Sequence, residues 1–529
     1  MPGNFSKVRK LMLFPVLLLA ALPLVVHAQT SPDEKTLVIA QSVDVDTFDP
    51  SNVNSRAEAN VANHIFGSLY TVDDKGSIVP YLAKSYKLSD DGKEMTFTLN
   101  DGLTCQDGEA LTAEDVAYTF QRAANPDNKF TGNTAGFVLD AISYDDAKVV
   151  DPLNVTIVMK KYQSIALGLI AEVGIHCKDS YEKMSLEEAA QNPIGSGPYK
   201  FVNRVKDDYV ELAKYDGFKL FTPNFDRLIW RVIPEASTRV AELLAGNVDI
   251  IANVPADQVD AVNNSGSAKV EAVQGTRRMY VGFNLAPEFA TMPGGDAIQK
   301  TDVRVALQYA VDVPTICKTL LGTECKRAAT MVNDPNGNPA IEPYPYDPKK
   351  AEELLDAAGY PRKDDGTRFE ITFQGPRGRY LNDAAVVQAI AQYLSDVGVK
   401  INLEIKDWSS EYVPLVREHK VGPLFFLGTG GDTWSAIYDM SDISAPDAST
   451  NYTGWNNPKW FELWNSLADI RDAAKEREVI NQMLQVMHDD PPWLFLYMQP
   501  DFYGVSNRVE WQARRDEQII VNNVTIKAS

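Results

Sequence analysis

Two hydrophobic periods alternate along most of the chain: apolar residues at every second position mark strands, and apolar residues three and four apart mark helices. Leu37-Val38-Ile39-Ala40 reads as a first buried strand. Residues 86–99 predict a hairpin, with Asp91-Gly92 at its turn and period-two alternation through Met95-Thr96-Phe97-Thr98-Leu99. Thr112 is placed to cap a helix, with Asp115 at its third position and Val116 and Phe120 on its apolar face. Residues 237–244 predict a helix stopped by Gly246 and followed by the strand Val248-Asp249-Ile250-Ile251. The best-marked element is a helix over 349–358: Asp347 caps it, Pro348 fits its first turn, Gly359 ends it and Pro361 blocks continuation. A helix from 383 to about 397 ends at Gly398 and leads into a strand over 400–405. Residues 460–487 predict a long amphipathic helix or a helix pair before Pro491-Pro492. No repeat, low-complexity stretch or Gly/Ser linker divides the chain, so the pattern predicts an α/β architecture with mixed sheets.

The N-terminal stretch breaks this pattern. Lys7, Arg9 and Lys10 precede an apolar run over 11–24, interrupted by Pro15 and Pro23, and Val26-His27-Ala28 offers small residues for cleavage. That is the form of a secretory signal peptide over residues 1–28. A membrane span needs about 20 apolar residues, so no stable membrane insertion is expected. No cysteine follows the run, so no lipid anchor is expected, and the mature protein is placed in the periplasm. At 529 residues the chain exceeds what one core supports, since cores stop growing near roughly 250–300 residues. Two large lobes follow. The net charge of −21 argues against nucleic acid and anionic membranes as partners, because both would be repelled. Four cysteines in an exported chain allow three pairings. Cys317 and Cys325, with Gly322 between them, can close a small loop, which leaves Cys105 with Cys177. A zinc site would need cysteines two to four residues apart, and none are.

Catalytic and cofactor motifs are missing. None of the five histidines lies in an HExxH pattern, and no GxSxG elbow occurs. Ser196 in Gly195-Ser196-Gly197-Pro198 reads as part of a turn before the strand at Tyr199, rather than as a nucleophile. The Gly-rich stretch 428–432 lacks the Lys-Ser/Thr ending of a phosphate loop. The chain is therefore expected not to be an enzyme and to need no cofactor and no metal.

Four segments, in order, resemble the solute-binding proteins of dipeptide, oligopeptide and nickel ABC importers, the extracellular solute-binding protein family 5. These are Val79-Pro80-Tyr81-Leu82-Ala83 through Ser89-Asp90-Asp91-Gly92, then Asp107 to Val116; Gly195 to Tyr199; Phe283-Asn284-Leu285 with Asp302 to Leu307 and Ala310-Val311-Asp312; and Pro492 to Tyr497 with Tyr503-Gly504-Val505. The chain departs from the family at Thr104-Cys105-Gln106, where an aromatic and a histidine are usual. The resemblance implies a bilobed periplasmic-binding-protein fold with hinge-linked lobes and an inserted third subdomain. One lobe would comprise residues 29–276 and 502–529, with the insertion at about 76–185. The other would be continuous over 277–501. Crossings would lie near Arg277-Arg278-Met279-Tyr280 and Pro500-Asp501-Phe502. It implies a monomer that captures a di- or short oligopeptide, or a peptide-like zwitterion such as glutathione, and hands it to ABC importer permease subunits. A non-peptide ligand (opine, oligosaccharide or metal chelate) is the alternative, and a secreted hydrolase a more distant one.

The same resemblance points to ligand residues. Asp432, in a loop with Thr429, Gly430 and Gly431, matches the aspartate that anchors a peptide's α-amine; capping the turn is the competing role. A buried ammonium must be paired, and glycines let the loop backbone approach a ligand. Arg379, and after it Arg377, matches the arginine that receives the ligand carboxylate, for which a planar guanidinium is suited; a solvent-facing loop position competes for each. Trp408 resembles a cleft tryptophan, with core packing as the alternative. Residues 48–55, including Asn54 and Ser55, should reach the cleft. Trp434, Tyr452 and Trp455 could line side-chain pockets or sit at the rim or in the core.

Overall fold

Ten strands form one open mixed sheet in the order Val399–Asp407, Phe369–Arg377, Leu424–Thr429, Ala268–Phe283, Trp493–Ser506, Ile250–Ile251, Thr36–Gln41, Arg227–Val232, Tyr209–Lys214 and Tyr199–Val205. This computed structural model describes residues 33, 35–332, 336–430 and 435–527; the expected signal peptide lies outside them. At the centre of the sheet are two long antiparallel strands, Ala268–Phe283 and Trp493–Ser506. The second pairs with Ile250–Ile251 through Gly504 and Val505, whereas the first pairs with Leu424–Thr429 through Arg278 to Phe283. Their mutual register slips between Gln274 and Arg278, and again between Arg278 and Tyr280. Each long strand therefore serves both halves of the sheet, and the irregularity falls where the halves meet.

A separate four-stranded antiparallel sheet runs Ala83–Leu88, Glu94–Leu99, Asn154–Met159, Tyr144–Asp151. The helix Ala113–Ala124 packs on it, started by Thr112, whose side chain accepts from Glu114 N while Asp115 returns a bond to the cap backbone. Such a cap contributes about 1 kcal/mol. The hairpin turn at Gly92 has φ +73°, the left-handed conformation that glycine tolerates. Cys105 bonds Cys177 and Cys317 bonds Cys325, each with a Cα–Cα distance of 5.9 Å.

Of the two alternatives for the stretch 460–487, the structure has the pair, Pro458–Ser466 and Ala473–Asp489, and one other expectation changes in detail. The strand expected over 248–251 is reduced to Ile250–Ile251, because Asp249 turns its carboxylate to Val38 N at 2.9 Å and to Arg508 Nη2 at 2.6 Å. One buried apolar cluster runs from the four-stranded sheet, at Phe97, Phe120 and Phe137, across to Tyr438, Trp455 and Trp460. Phe137 meets Tyr438 edge-on at 6.0 Å between centroids.

Candidate functional site

A cavity of about 1450 Å³ opens between these halves. Along one side it follows the helix Arg56–Ile65: Ser55, Ala59, Ala62 and Phe66 all line it. Ser55 caps that helix, and Glu58 returns the bond, accepting from the N–H groups of Asp46 (3.2 Å), Asn54 (2.9 Å) and Ser55 (2.9 Å). These bonds fix the loop that carries Asn54 and Ser55 to the cavity wall. Just upstream, the buried Asp49 carboxylate takes Arg122 through both oxygens, at 3.0 and 2.6 Å, and lies 3.1 Å from His176 Nε2. Burial alone would raise the Asp49 carboxyl, but His176 and Arg122 hold it well below the usual carboxylate range. The loop is thereby bolted to the helix Ala113–Ala124.

Arg379 lines the cavity; Arg377 does not. Arg377 is the exposed last residue of its strand, paired in register with Asp407. The chain then turns at Gly378 (φ +90°), and the buried Asp383 carboxylate collects the N–H groups of Gly378, Arg379 and Tyr380 at 3.3, 2.9 and 3.0 Å. That turn swings Arg379 inward, which strand alternation alone would not reveal. Its guanidinium lies over the rings of Tyr380 (5.1 Å) and Trp408 (5.8 Å) and 3.7 Å from Glu517. It makes no side-chain hydrogen bond among the described residues. Burial, and then the like charge of Arg277, lower its pKa. Arg277 is fully engaged by contrast, donating to Glu517 at 2.5 and 2.8 Å and to Gly428 O at 2.9 Å. Burial opposes ionisation of Glu517, but Arg277 and then Arg379 overcome it and hold the carboxyl down to about 2. The result is a cationic wall in which one arginine is satisfied and the other holds N–H groups in reserve.

The loop after strand Leu424–Thr429 forms another wall. Tyr380 Oη accepts from Gly428 N at 3.1 Å, and Thr429 donates to Asp442 at 2.8 Å. Gly430 also lines the cavity; Gly431, Asp432 and Trp434 lie outside the described residues. Trp408 both lines the cavity and packs on the core. Tyr452 lines the cavity, while Trp455 is buried in the core at 1 % exposure. Ser196 is held away from chemistry: its hydroxyl accepts from Gly67 N at 3.0 Å and donates to Ile175 O at 2.8 Å. Gln106, at the departure from the family pattern, donates to the carbonyls of Ile65, Gly197 and Tyr199, a bracing role.

Arg277 and Glu517, in the cationic wall, are site residues that the sequence reading did not single out for the ligand. The signal for the first was present: two consecutive arginines begin the apolar run 279–283, and charges in a buried strand need partners. Among the described residues no cluster of three or more His, Cys, Asp or Glu could hold a metal ion, and no helix is long and apolar enough to cross a membrane.

The model of the bacterial extracellular solute-binding proteins, family 5, matches residues 77–451. The glutathione-binding protein GsiB of Pectobacterium atrosepticum is 27 % identical over 474 residues, 87 % of this chain and 88 % of that one. Among solved structures, the dipeptide-binding protein from Pseudoalteromonas sp. SM9913 in complex with Met-Leu superposes with a TM-score of 0.83 at 21 % identity, covering 93 % of this chain and 100 % of that one. NikZ from Campylobacter jejuni in complex with Ni(L-His) gives 0.81 at 23 % identity, with coverage of 93 % and 100 %. At these identities the structures establish a shared fold.

Proposed function

The chain belongs to the bacterial extracellular solute-binding proteins of family 5, and from that premise we propose that it captures a di- or short oligopeptide, or a peptide-like zwitterion, for an ABC importer. The observation that carries the reading is Arg379, a guanidinium buried in the cavity wall on two aromatic rings, 3.7 Å from Glu517 and without a side-chain hydrogen bond among the described residues. A ligand carboxylate supplies what it lacks, two acceptor oxygens in one plane. Asp432, which the resemblance matches to an α-amine anchor, is assigned the ligand's ammonium group. Glutathione, the ligand in the name of GsiB, fits this description.

The lobes in this reading are residues 29–276 with 502–529, and 277–501, closing on each other about the strand crossing near Arg277 and Asp501. The segment at about 76–185 is an insertion in the first lobe. Residues 1–28 are removed on export, and the mature chain works in the periplasm, without a lipid anchor, as a monomer that docks on permease subunits.

Native mass spectrometry of the purified protein, followed by calorimetry with the ligand it retains, tests the proposal. A stoichiometric, chemically unchanged peptide-like ligand is expected. A sugar or nickel chelate, bound with Asp432→Ala affinity equal to wild type, would overturn it, and turnover of the ligand would point to the hydrolase instead.

A further inference from the structure

The cavity has a second charged region that the carboxylate end of a ligand does not explain. Arg278, 3 % exposed, divides its guanidinium between two carboxylates: Nη1 donates to Asp439, and Nη2 to Asp442 Oδ2 at 3.1 Å. Two acids thus share one base, and Thr429 adds a hydroxyl donor to Asp442 but no charge. Burial raises both carboxyls, Asp439 to about 6, so the single arginine does not offset their loss of water. Asp442 faces the cavity; Asp439 does not.

A second observation is independent of these acids. Tyr280 is 2 % exposed, lines the cavity, and has its ring stacked on Trp493 at 3.7 Å and 7°. Its hydroxyl has no hydrogen-bond partner among the described residues. Alternation along the strand would send Arg277 and Tyr280 to opposite faces, since they are three residues apart. The register slip between Arg278 and Tyr280 lets both reach the cavity. Tyr452, half-buried, lines the same cavity within electrostatic reach of Asp442, Tyr280 and Arg417, the last of which pairs with Asp46 at 3.9 Å, and its hydroxyl has no hydrogen-bond partner among the described residues.

A carboxylate in excess of its bases, beside two phenol oxygens with unused lone pairs, is a set of acceptors around a surplus negative charge. A neutral donor would satisfy the oxygens and leave the charge uncompensated. A metal ion is not favoured, since among the described residues no group of three or more His, Cys, Asp or Glu could hold one. An ammonium or guanidinium supplies both the charge and several N–H groups. We propose that Asp442, Tyr280 and Tyr452 form a subsite for the cationic group of a basic side chain on the ligand, separate from the α-amine. This rests on the peptide reading of the same cavity.

Calorimetry with trialanine and the three tripeptides that place one lysine among two alanines tests it. At least one lysine peptide should bind wild type ten-fold or more tightly than trialanine. Asp442→Asn should abolish that preference while leaving trialanine within about two-fold. Tyr280→Phe keeps the ring on Trp493 and removes only the hydroxyl; it should weaken the preferred lysine peptide several-fold and trialanine not at all, which guards against misfolding of the first variant. If wild type binds all four alike, or if both variants weaken trialanine as much as the lysine peptides, the subsite is wrong. If none of the four binds while another class of ligand does, the peptide reading fails first and the subsite with it.

Discussion

Replacing Arg379 by methionine separates a ligand anchor from a structural brace. In the structure the guanidinium contacts two aromatic faces, lies 3.7 Å from Glu517, and donates no side-chain hydrogen bond among the described residues. Glu517 keeps both bonds from Arg277 when Arg379 is lost, so no carboxylate is stranded. Methionine retains the stem that covers Tyr380 and Trp408, and exchanging a buried ion for an apolar residue is often neutral or stabilising by about 1–4 kcal/mol. The repulsion between Arg379 and Arg277 also disappears. Arg379→Met should therefore unfold in urea at or above the wild-type midpoint. Binding should respond in the opposite sense. A carboxylate sealed in the cavity without its guanidinium loses about 2–5 kcal/mol, a roughly 30- to 4000-fold rise in Kd. Titrating the retained ligand and its carboxamide into both proteins by calorimetry isolates the term. Wild type should favour the acid strongly, and the variant should bind acid and amide alike. If the variant keeps the wild-type preference for the acid, or if it unfolds several kcal/mol earlier, Arg379 is not the carboxylate anchor.

Asp49→Asn leaves the Arg122 guanidinium buried at 7 % exposure without its counter-charge, so urea unfolding should register a loss of about 3–5 kcal/mol; a loss under about 1 kcal/mol would show that the pair carries no structural weight. His64 is buried with Nδ1 2.7 Å from Asn60 O and Nε2 accepting from Val521 N, and burial lowers its pKa to about 4. A ring that titrates lower when folded lets the unfolded chain take the proton first, so stability falls as pH drops from about 6.5 towards 4, by about 3 kcal/mol in all. His64→Gln should flatten that part of the stability–pH curve, and an unchanged slope would assign it to other groups. Cys105–Cys177 closes a loop with a sequence separation of 72; its removal by paired serine substitutions should cost about 4 kcal/mol, and an equal urea midpoint would rule that out.

Elements with local signals were legible in the chain. Thr112 with Asp115, Asp347 with Pro348, and Gly92 at its turn each place a helix start or a hairpin within a residue or two of where it stands. The sheet order was not, because Trp493–Ser506 pairs with Ala268–Phe283 across more than 200 residues and nothing local encodes that choice. Whether residues 460–487 form one helix or the pair Pro458–Ser466 and Ala473–Asp489 could not be decided, since the break at 467–469 is a tight helical turn without Gly or Pro. Arg379 and Trp408 could be approached by resemblance, but deciding between Arg377 and Arg379 required the Asp383 turn. Glu517 was unreadable: in a chain with 72 acids, one carboxylate near the end of the sequence carries no mark of the arginines it will meet.

The ten-stranded sheet is open, so it leaves two strands with unpaired backbone on one side, Tyr199–Val205 and Val399–Asp407. Exposed backbone of that kind invites a strand from another molecule to add on, the first step towards aggregation. Here the first edge carries Lys200 and Arg204 and the second Lys400, Glu404 and Lys406, interleaved with apolar residues such as Val202, 48 % exposed, and Leu403, 37 % exposed. A strand that tried to dock would have to bury those charges against its own side chains. The protection against self-association thus lies in the side chains of the two edge strands themselves.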